Sequence, residues 1–352
     1  MKGTYVVRQN GQEIGRFPNI ITSLGKQQIA KSISTQGNLW ASKIALGCGG
    51  AVSSANGLTA PAATDKFLDF EFSRSGITTI VSQPNTPNAG AIRIIVKSVI
   101  PDVTAGRISE IGIFSSASIE DQFINPLFNA ESSEFWQYVD AAGTTRSFDE
   151  LMGSSSTAPL VSTSLTTDTN FRFGVGSEVI AFERIPVNAS KRTVSVAATF
   201  DMSSVNSADN ILTAFYKKTT STSTLTIKFC VNASSYFSAN ISSSAAGYQI
   251  VSTPKSSFAS SGSPSWSSIS YIEIADTTSP TPSSGEYVYL DSMRVKKAVS
   301  DDQNILVSRT VLSDNAAIKK IQGVPLEIEY YLDLFNTNLG DRSYFPDYIL
   351  EL

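Results

Sequence analysis

Apolar and polar residues alternate with a period of two along much of this chain, the pattern of strands that bury one face. The cleanest run lies near the end, where Leu326, Ile328, Tyr330, Leu332 and Leu334 alternate with Glu327, Glu329, Tyr331 and Asp333. Its length predicts a strand inside a sheet rather than at an unpaired edge. Ile92, Ile94 and Val96 against Arg93 and Lys97 predict another strand, as does Ile108–Phe114. Phe67–Phe72 is expected to be a further strand, with Leu68, Phe70 and Phe72 opposed to Asp69 and Glu71. Near the start, Tyr5–Val7 and Ile14–Phe17 flank Asn10-Gly11, a strong hairpin signal. One segment has a helical period: Leu24, Ile29, Ala30 and Ile33 predict an amphipathic helix capped by Ser23 and ended by Gly37.

From about residue 160 to 298 the pattern is almost pure strand. Val194, Val196, Ala198 and Phe200 alternate with Ser195, Ala197 and Thr199. Leu225, Ile227, Phe229 and Val231 alternate with Thr226, Lys228 and Cys230, and Ile272 and Ile274 with Tyr271, Glu273 and Ala275. Tyr287–Val295 closes the series. Short strands separated by Ser/Thr/Pro/Gly clusters are the signature of a β-sandwich. Residues 129–158 break the period. Glu131–Tyr138 mixes acidic and aromatic residues, and Ala141-Ala142-Gly143 and Gly153–Ser156 carry loop chemistry, so a linker is expected there. The predicted fold is mainly β. A small α+β terminal domain with one N-terminal helix, built from 1–128 plus 300–352, is interrupted by a sandwich over 159–299.

Composition narrows the function. The chain has 352 residues and a net charge of −4. Its basic residues cluster no further than the pairs Lys217-Lys218, Lys296-Lys297 and Lys319-Lys320, which argues against nucleic acid as a partner. No stretch approaches the ~20 apolar residues of a membrane span, and the N-terminal segment lacks the apolar core of a secretory signal. The chain is therefore expected to fold first in a cytoplasm. The two cysteines, Cys48 and Cys230, form neither a disulfide framework nor a zinc pattern. There is no histidine, which removes Ser-His-Asp and Cys-His catalysis and His-ligated metal sites. No cofactor and no enzymatic activity are expected.

The remaining candidates are aromatic or acidic. Trp266, Tyr236, Tyr248 and Tyr271 are candidates for stacking on the apolar faces of sugar rings, with a core position the favoured reading of Trp266. Asp291, with Glu178, is a candidate calcium carboxylate, although an ordinary strand carboxylate is the simpler reading. Gly47–Gly50 and Gly174-Val175-Gly176 lack the strand–loop–helix setting of phosphate loops and read as turns.

Five segments stand out in order: Asn19-Ile20-Ile21-Thr22 leading through Gly25 into the helix; Ile44-Ala45-Leu46-Gly47 before a glycine-rich loop; Phe70-Glu71-Phe72-Ser73-Arg74; Ile108-Ser109-Glu110-Ile111-Gly112-Ile113-Phe114; and Pro325-Leu326-Glu327-Ile328-Glu329-Tyr330. These segments resemble the phage tail-collar and tail-fibre N-terminal (baseplate-associated) proteins. They cover 1–128 and 300–352. The insert resembles a carbohydrate-binding-module jelly roll through Tyr287-Val288-Tyr289-Leu290-Asp291-Ser292-Met293-Arg294-Val295, and through Trp266 followed by Ile272-Glu273-Ile274. The resemblance implies a virion structural protein of the tail (baseplate, collar or fibre attachment). Such a protein would bind other tail proteins, assemble as a three-fold or six-fold homo-oligomer and display the sandwich outward. The alternative is an adhesin for a host receptor or bacterial surface glycan acting through the insert; a second alternative is a head decoration or neck protein. Within the resemblance, Arg74 and Glu110 form a structural pair that fixes strand register.

Overall fold

The computed structural model describes residues 1–35, 40–52, 57–84, 92–102, 106–115, 201–217, 220–276, 286–296, 305–320 and 323–334, together with the backbone of six strands between 123 and 200. In chain order the first part contains β1 (Lys2–Gln9), β2 (Gln12–Pro18), β3 (Ile20–Ile21), α1 (Ser23–Thr35), β4 (Lys43–Gly47), β5 (Glu71–Gly76), β6 (Thr79–Pro84), β7 (Ile92–Ile100), β8 (Gly106–Ile108) and β9 (Glu110–Ser115). There follow β10 (Phe123–Asn129), β11 (Trp136–Val139), β12 (Thr145–Ser147), β13 (Val161–Leu165), β14 (Glu178–Arg184), β15 (Arg192–Phe200) and β16 (Asn210–Lys217). The middle part continues with β17 (Ser223–Asn232), β18 (Ser235–Ser243), β19 (Gly247–Pro254), β20 (Ala259–Ser261), β21 (Ile269–Asp276) and β22 (Glu286–Lys296). The described residues end with β23 (Ile305–Val311), β24 (Ile318–Lys320) and β25 (Leu326–Asp333). The fold is mainly β, with antiparallel sheets and one α-helix among the described residues, as the alternation predicted.

The two ends of the chain build one body of two five-stranded sheets, ordered β2-β1-β25-β7-β6 and β3-β23-β9-β4-β5. β25 lies between β1 and β7, with Tyr330 opposite both Tyr5 and Val96. Its burial alternates strictly along Leu326–Asp333, which is why this run reads so cleanly in the sequence. The core between the sheets holds Tyr5, Val7, Ile44, Leu46, Val96, Ile111, Ile113, Val307, Ile328, Tyr330 and Leu332. The β1–β2 hairpin turns at Asn10-Gly11, both with positive φ (51° and 77°), as a two-residue turn requires. Helix α1 is capped by Thr22, one residue before the expected Ser23, because the Thr22 Oγ1 accepts the Gly25 amide at 2.8 Å. Gly25 is needed there: a Cβ would stand 2.2 Å from the Val307 carbonyl oxygen, so only glycine lets the helix approach β23 this closely.

Residues 67–70 are not a strand. β5 begins at Glu71 instead. The Asp69 and Phe70 amides donate to the Glu110 carboxylate at 2.8 and 3.2 Å, and the Phe70 carbonyl accepts the Cys48 amide at 2.9 Å. The alternating side chains of this segment belong to a loop wrapped over the sheet. Leu68 is buried with Ala45, Phe114 and Leu306 on the sheet's outer side.

The middle of the chain forms a two-sheet sandwich. One sheet runs β13-β14-β22-β16-β19, with β10 also paired to β22; the other runs β12-β11-β15-β21-β17-β18-β20. Ile211, Phe215, Leu225, Ile227, Phe229, Ile272, Ile274, Val288, Met293 and Val295 fill the space between them. β10, β11 and β12 belong to these sheets, so the sandwich takes in strands from 123–147. The sequence places those residues at the end of the terminal domain (to 128) and in a linker (129–158). Their alternation is obscured by Pro126 within β10 and by the mixed acidic and aromatic residues before β11.

The sandwich is seated on the terminal body. Leu212 and Ala214 of β16 and Tyr248 of β19 pack with Cys48, Leu58 and Phe70 in one buried cluster. Arg294 of β22 donates from Nη1 to the Glu71 carbonyl at 2.8 Å, and the Lys296 ammonium stands 3.3 Å from the centroid of the Phe67 ring. This seat is held by charge. Arg309 of β23, with a side chain only 1% exposed, donates to Asp65 at 2.8 Å, Asp69 at 3.0 Å, Glu110 at 2.9 Å and the Thr59 hydroxyl at 2.7 Å. One guanidinium thus ties the loop between Leu58 and Phe70 to the sheet beneath it. Burial works against the Arg309 charge, but Glu110 and Asp69 outweigh it and raise its pKa. Burial also lifts the Glu110 carboxyl to about 7, against the pull of Arg309 and with the help of Asp69.

The expected Arg74–Glu110 pair does not form. Arg74 on β5 lies opposite Ala45, which lies opposite Gly112; Glu110 shares its row with Gly47 and Glu71. The register therefore sets the two residues two strand spacings apart and in different rows, two positions apart along β4 and β9. Arg74 instead pairs with Glu71, Nε to Oε1 at 2.5 Å, and stacks on Phe114 at 3.9 Å, while Glu110 takes Arg309.

Candidate binding face

The sandwich sheet turned away from the seat carries the candidate site. Strands β17, β18 and β21 lie side by side in the order β21-β17-β18. Leu225, Ile227 and Phe229 point into the core, so Thr226, Lys228 and Cys230 point out. Register aligns the neighbours. Cys230 lies opposite Tyr236 on one side and Tyr271 on the other, and Lys228 lies between Ser238 and Glu273. The two tyrosines thus flank one thiol at two strand spacings, about 10 Å apart. Tyr236 and Tyr271 are partly exposed, while Cys230 beneath them is buried.

The polar groups of this face are paired with one another. The Lys228 ammonium meets Glu273 at 2.5 Å and stands 4.8 Å over the Tyr236 ring. Burial alone would lower the Lys228 pKa; the Glu273 hydrogen bond and charge reverse that and raise it, so the lysine stays cationic. Desolvation pushes the Cys230 thiol up to about 11 and the Tyr271 phenol up to about 12, and the two share a hydrogen bond. Neither is a nucleophile at neutral pH. Thr226 donates to Asn240 at 2.8 Å, and Thr224 and Ser242 share a hydrogen bond at 3.1 Å. The face therefore presents two aromatic rings, one neutralised charge pair and a row of hydroxyl and amide groups. That chemistry suits a polyol with apolar C–H faces rather than an anion or a hydrophobe.

The four aromatic candidates separate. Tyr236 and Tyr271 meet on the outer face. Tyr248 is buried in the seat against the terminal body and presents no ring to a ligand. Trp266 packs flat on Phe237 (4.0 Å, 6°) and against Phe229 and Phe258, closing one end of the core, with the Lys255 ammonium 4.9 Å from its ring. Phe237 points to the side of its strand opposite Tyr236, so Trp266 lies on the other side of the sheet from the outer tyrosines. Lys228 and Glu273, now part of the site, were visible in the sequence only as outward positions of two strands; that they meet depends on the β17–β21 register. The side chains of Asp291 and Glu178, and the residues Gly174–Gly176, lie outside the described residues. Gly47 ends β4, and Gly47, Gly49 and Gly50 lie against the Glu110 side chain rather than in a phosphate loop. Among the described residues, no three Cys, Asp or Glu groups are placed to hold a metal, and no helix is long and apolar enough to cross a membrane.

No family model matches the chain, and no curated protein matches it either, so the resemblance to tail-collar and tail-fibre proteins has no counterpart in these comparisons. Solved structures do match. A family 11 carbohydrate-binding module from Clostridium thermocellum, in complex with a β-1,3-1,4-mixed-linked tetrasaccharide, is similar over 56% of this chain and 99% of its own, at 12% identity and a TM-score of 0.31. The family 11 module of the cellulosomal cellulase Lic26A-Cel5E of the same organism is similar over 40% of this chain and 83% of its own, at 12% identity and a TM-score of 0.30. The structure of PfGH50B is similar over 40% of this chain, at 10% identity and a TM-score of 0.31. The match spans 22% of the length of that protein.

Proposed function

We propose that this chain is a non-catalytic glycan-binding protein that takes its ligand on the outer face of β21, β17 and β18. The observation that carries the reading is the pair Tyr236 and Tyr271, held partly exposed on either side of Cys230 beside the Lys228–Glu273 pair. Two tyrosines rooted about two strand spacings apart offer stacking to separate sugars of one chain, and the neutralised ion pair favours an uncharged polysaccharide. The test is a bacterial surface-glycan array probed with the full chain, alongside the Tyr236→Ala and Tyr271→Ala variants. Binding of a neutral glycan that weakens at least tenfold in each variant supports the reading. No binding across the array, or binding indifferent to both tyrosines, overturns it.

A second reading places the chain in a phage virion as a tail structural protein. It is favoured by the architecture, in which both chain ends build a body that carries the sandwich with its tyrosine face outward. Mass spectrometry of purified virions tests it; absence of the chain from the particles would remove it.

A further inference from the structure

The sheet β2-β1-β25-β7-β6 ends differently at its two edges. β2 carries Glu13 and Arg16, paired at 2.9 Å, and finishes in Pro18, devices that discourage a further strand from adding. Inward from that edge the outer face continues as ion pairs: Arg8 with Glu329 at 3.0 Å, Lys97 with Glu327, and Arg93 with Asp333 at 2.8 Å. The pairs stop at β7. β6 (Thr79–Pro84) is exposed at every position, and no charged residue occurs between Arg74 and Arg93. Ile80 and Val81, on opposite faces of the strand, are 39% and 45% exposed, and Ile92 beside it is 44% exposed. Among the described residues β6 has no neighbour beyond β7.

We propose that β6 joins two copies of this chain, strand to strand and antiparallel about a two-fold axis, into one continuous sheet. The strand is complementary to itself. With the axis at Val81, Val81 meets its own copy, Ile80 meets Ser82 and Thr79 meets Gln83, so every opposed pair shares a face and no charge is desolvated. Pairing β6 with a β2 edge would instead set Glu13 and Arg16 against an uncharged strand. A two-fold axis normal to the sheet also continues the partly exposed stripe of Ile80 and Ile92 from one copy into the next. Six residues make a small contact, so the dimer forms with rising concentration rather than as a permanent unit. This closed pair differs from the three-fold or six-fold assembly that the tail-protein resemblance implies, and it does not depend on the glycan reading.

Sedimentation velocity of the full chain over a concentration series reads the association directly. The expected result is a monomer–dimer equilibrium, weakened at least tenfold by Val81→Lys, which faces two ammonium groups across the axis. The thermal midpoint of that variant stays unchanged, because Val81 is already 45% exposed in one copy. In a Val81→Cys chain the paired Cα atoms lie roughly 4.5–5.5 Å apart, within the span a disulfide bridges, so mild oxidation yields a disulfide-linked dimer. Cys48 and Cys230 are buried and do not compete. A monomer at every concentration with no such cross-link overturns the proposal. So does any assembly, three-fold and six-fold included, that persists in Val81→Lys. Should that variant unfold, the cross-link decides alone.

Discussion

One outer face of the sandwich, on β16, β19 and β22, sets Leu212, Ala214 and Tyr248 against Cys48, Leu58 and Phe70 of the terminal body. The other, on β17, β18 and β21, keeps Thr226, Lys228, Tyr236, Tyr271 and Glu273 partly exposed. Both faces contain tyrosine and both contain long cations. They differ in what lies at the neighbouring positions. On β16 apolar residues occupy outward as well as inward positions, so nearly the whole strand is buried; on β17 the outward positions are Thr, Lys and Cys, and the strand alternates. The lesson is that a tyrosine's role follows its strand's second face. Tyr248, beside Leu212 and Ala214, is packing; Tyr236, beside Lys228, is surface.

The sharpest way to break this comparison is to release the covered face. Arg309→Met leaves Asp65, Asp69 and Glu110 without their shared cation, and removing one partner of a buried ionic cluster costs about 3–5 kcal/mol. Urea melts of this variant are expected to lose most of the stability of the terminal body. Leu212→Ala removes packing within the seat itself and is expected to cost about 2–3 kcal/mol by the same measurement.

A pH series sharpens the point. Glu110 faces Arg309, Asp69 and, less directly, Asp65 and Lys296. Its carboxyl, at about 7 in the folded chain, lies above its ordinary value. The folded state then holds the proton more tightly than the unfolded one. The resulting stabilisation is complete below the unfolded pKa of about 4.3 and is lost as pH rises toward and through 7, at up to about 1.4 kcal/mol per pH unit. Urea midpoints between pH 5 and pH 8 should fall along this slope, and Glu110→Gln should flatten it.

The exposed face predicts the reverse balance. Tyr271→Ala and Tyr236→Ala should each shift stability by about 1 kcal/mol or less while abolishing most glycan affinity. Smallest of all, Glu273→Gln breaks a partly exposed cross-strand pair for about 0.2–1 kcal/mol, measurable as a minor change in urea midpoint.

Much of the frame was legible in the sequence because each signal is local. The alternation of Leu326–Asp333, the Asn10-Gly11 turn and the outward Lys228 and Cys230 are properties of neighbouring residues, and the strands built on them follow. Pairing is not local. Arg309 reaches Glu110 across 199 positions, and nothing in either segment names the other; the shorter-range guess of Arg74 fails on register. The same holds for the site. That Tyr271 alternates with the inward Ile272 and Ile274 was readable, whereas the outward place of Tyr236 on β18, the meeting of Lys228 with Glu273 and the loss of Tyr248 into the seat depend on which strands become neighbours. The strands at 123–147 were missed because their pattern is weak and their pairing with β22 and β15 organises them.

One rung of one ladder has a consequence for how such a chain can change. Ser115, where β9 ends, lies opposite Ile305, where β23 begins. Everything between them leaves and returns at a single point in the sheet, so a hairpin turn would close the gap as well as a whole sandwich does. The joint is therefore a socket, open to deletion, duplication or grafting without altering a strand of the body. What limits the exchange is the seat: a replacement must bring its own apolar patch for Cys48, Leu58 and Phe70, or leave them wet. The body can change what it carries more freely than it can change the surface on which the cargo rests.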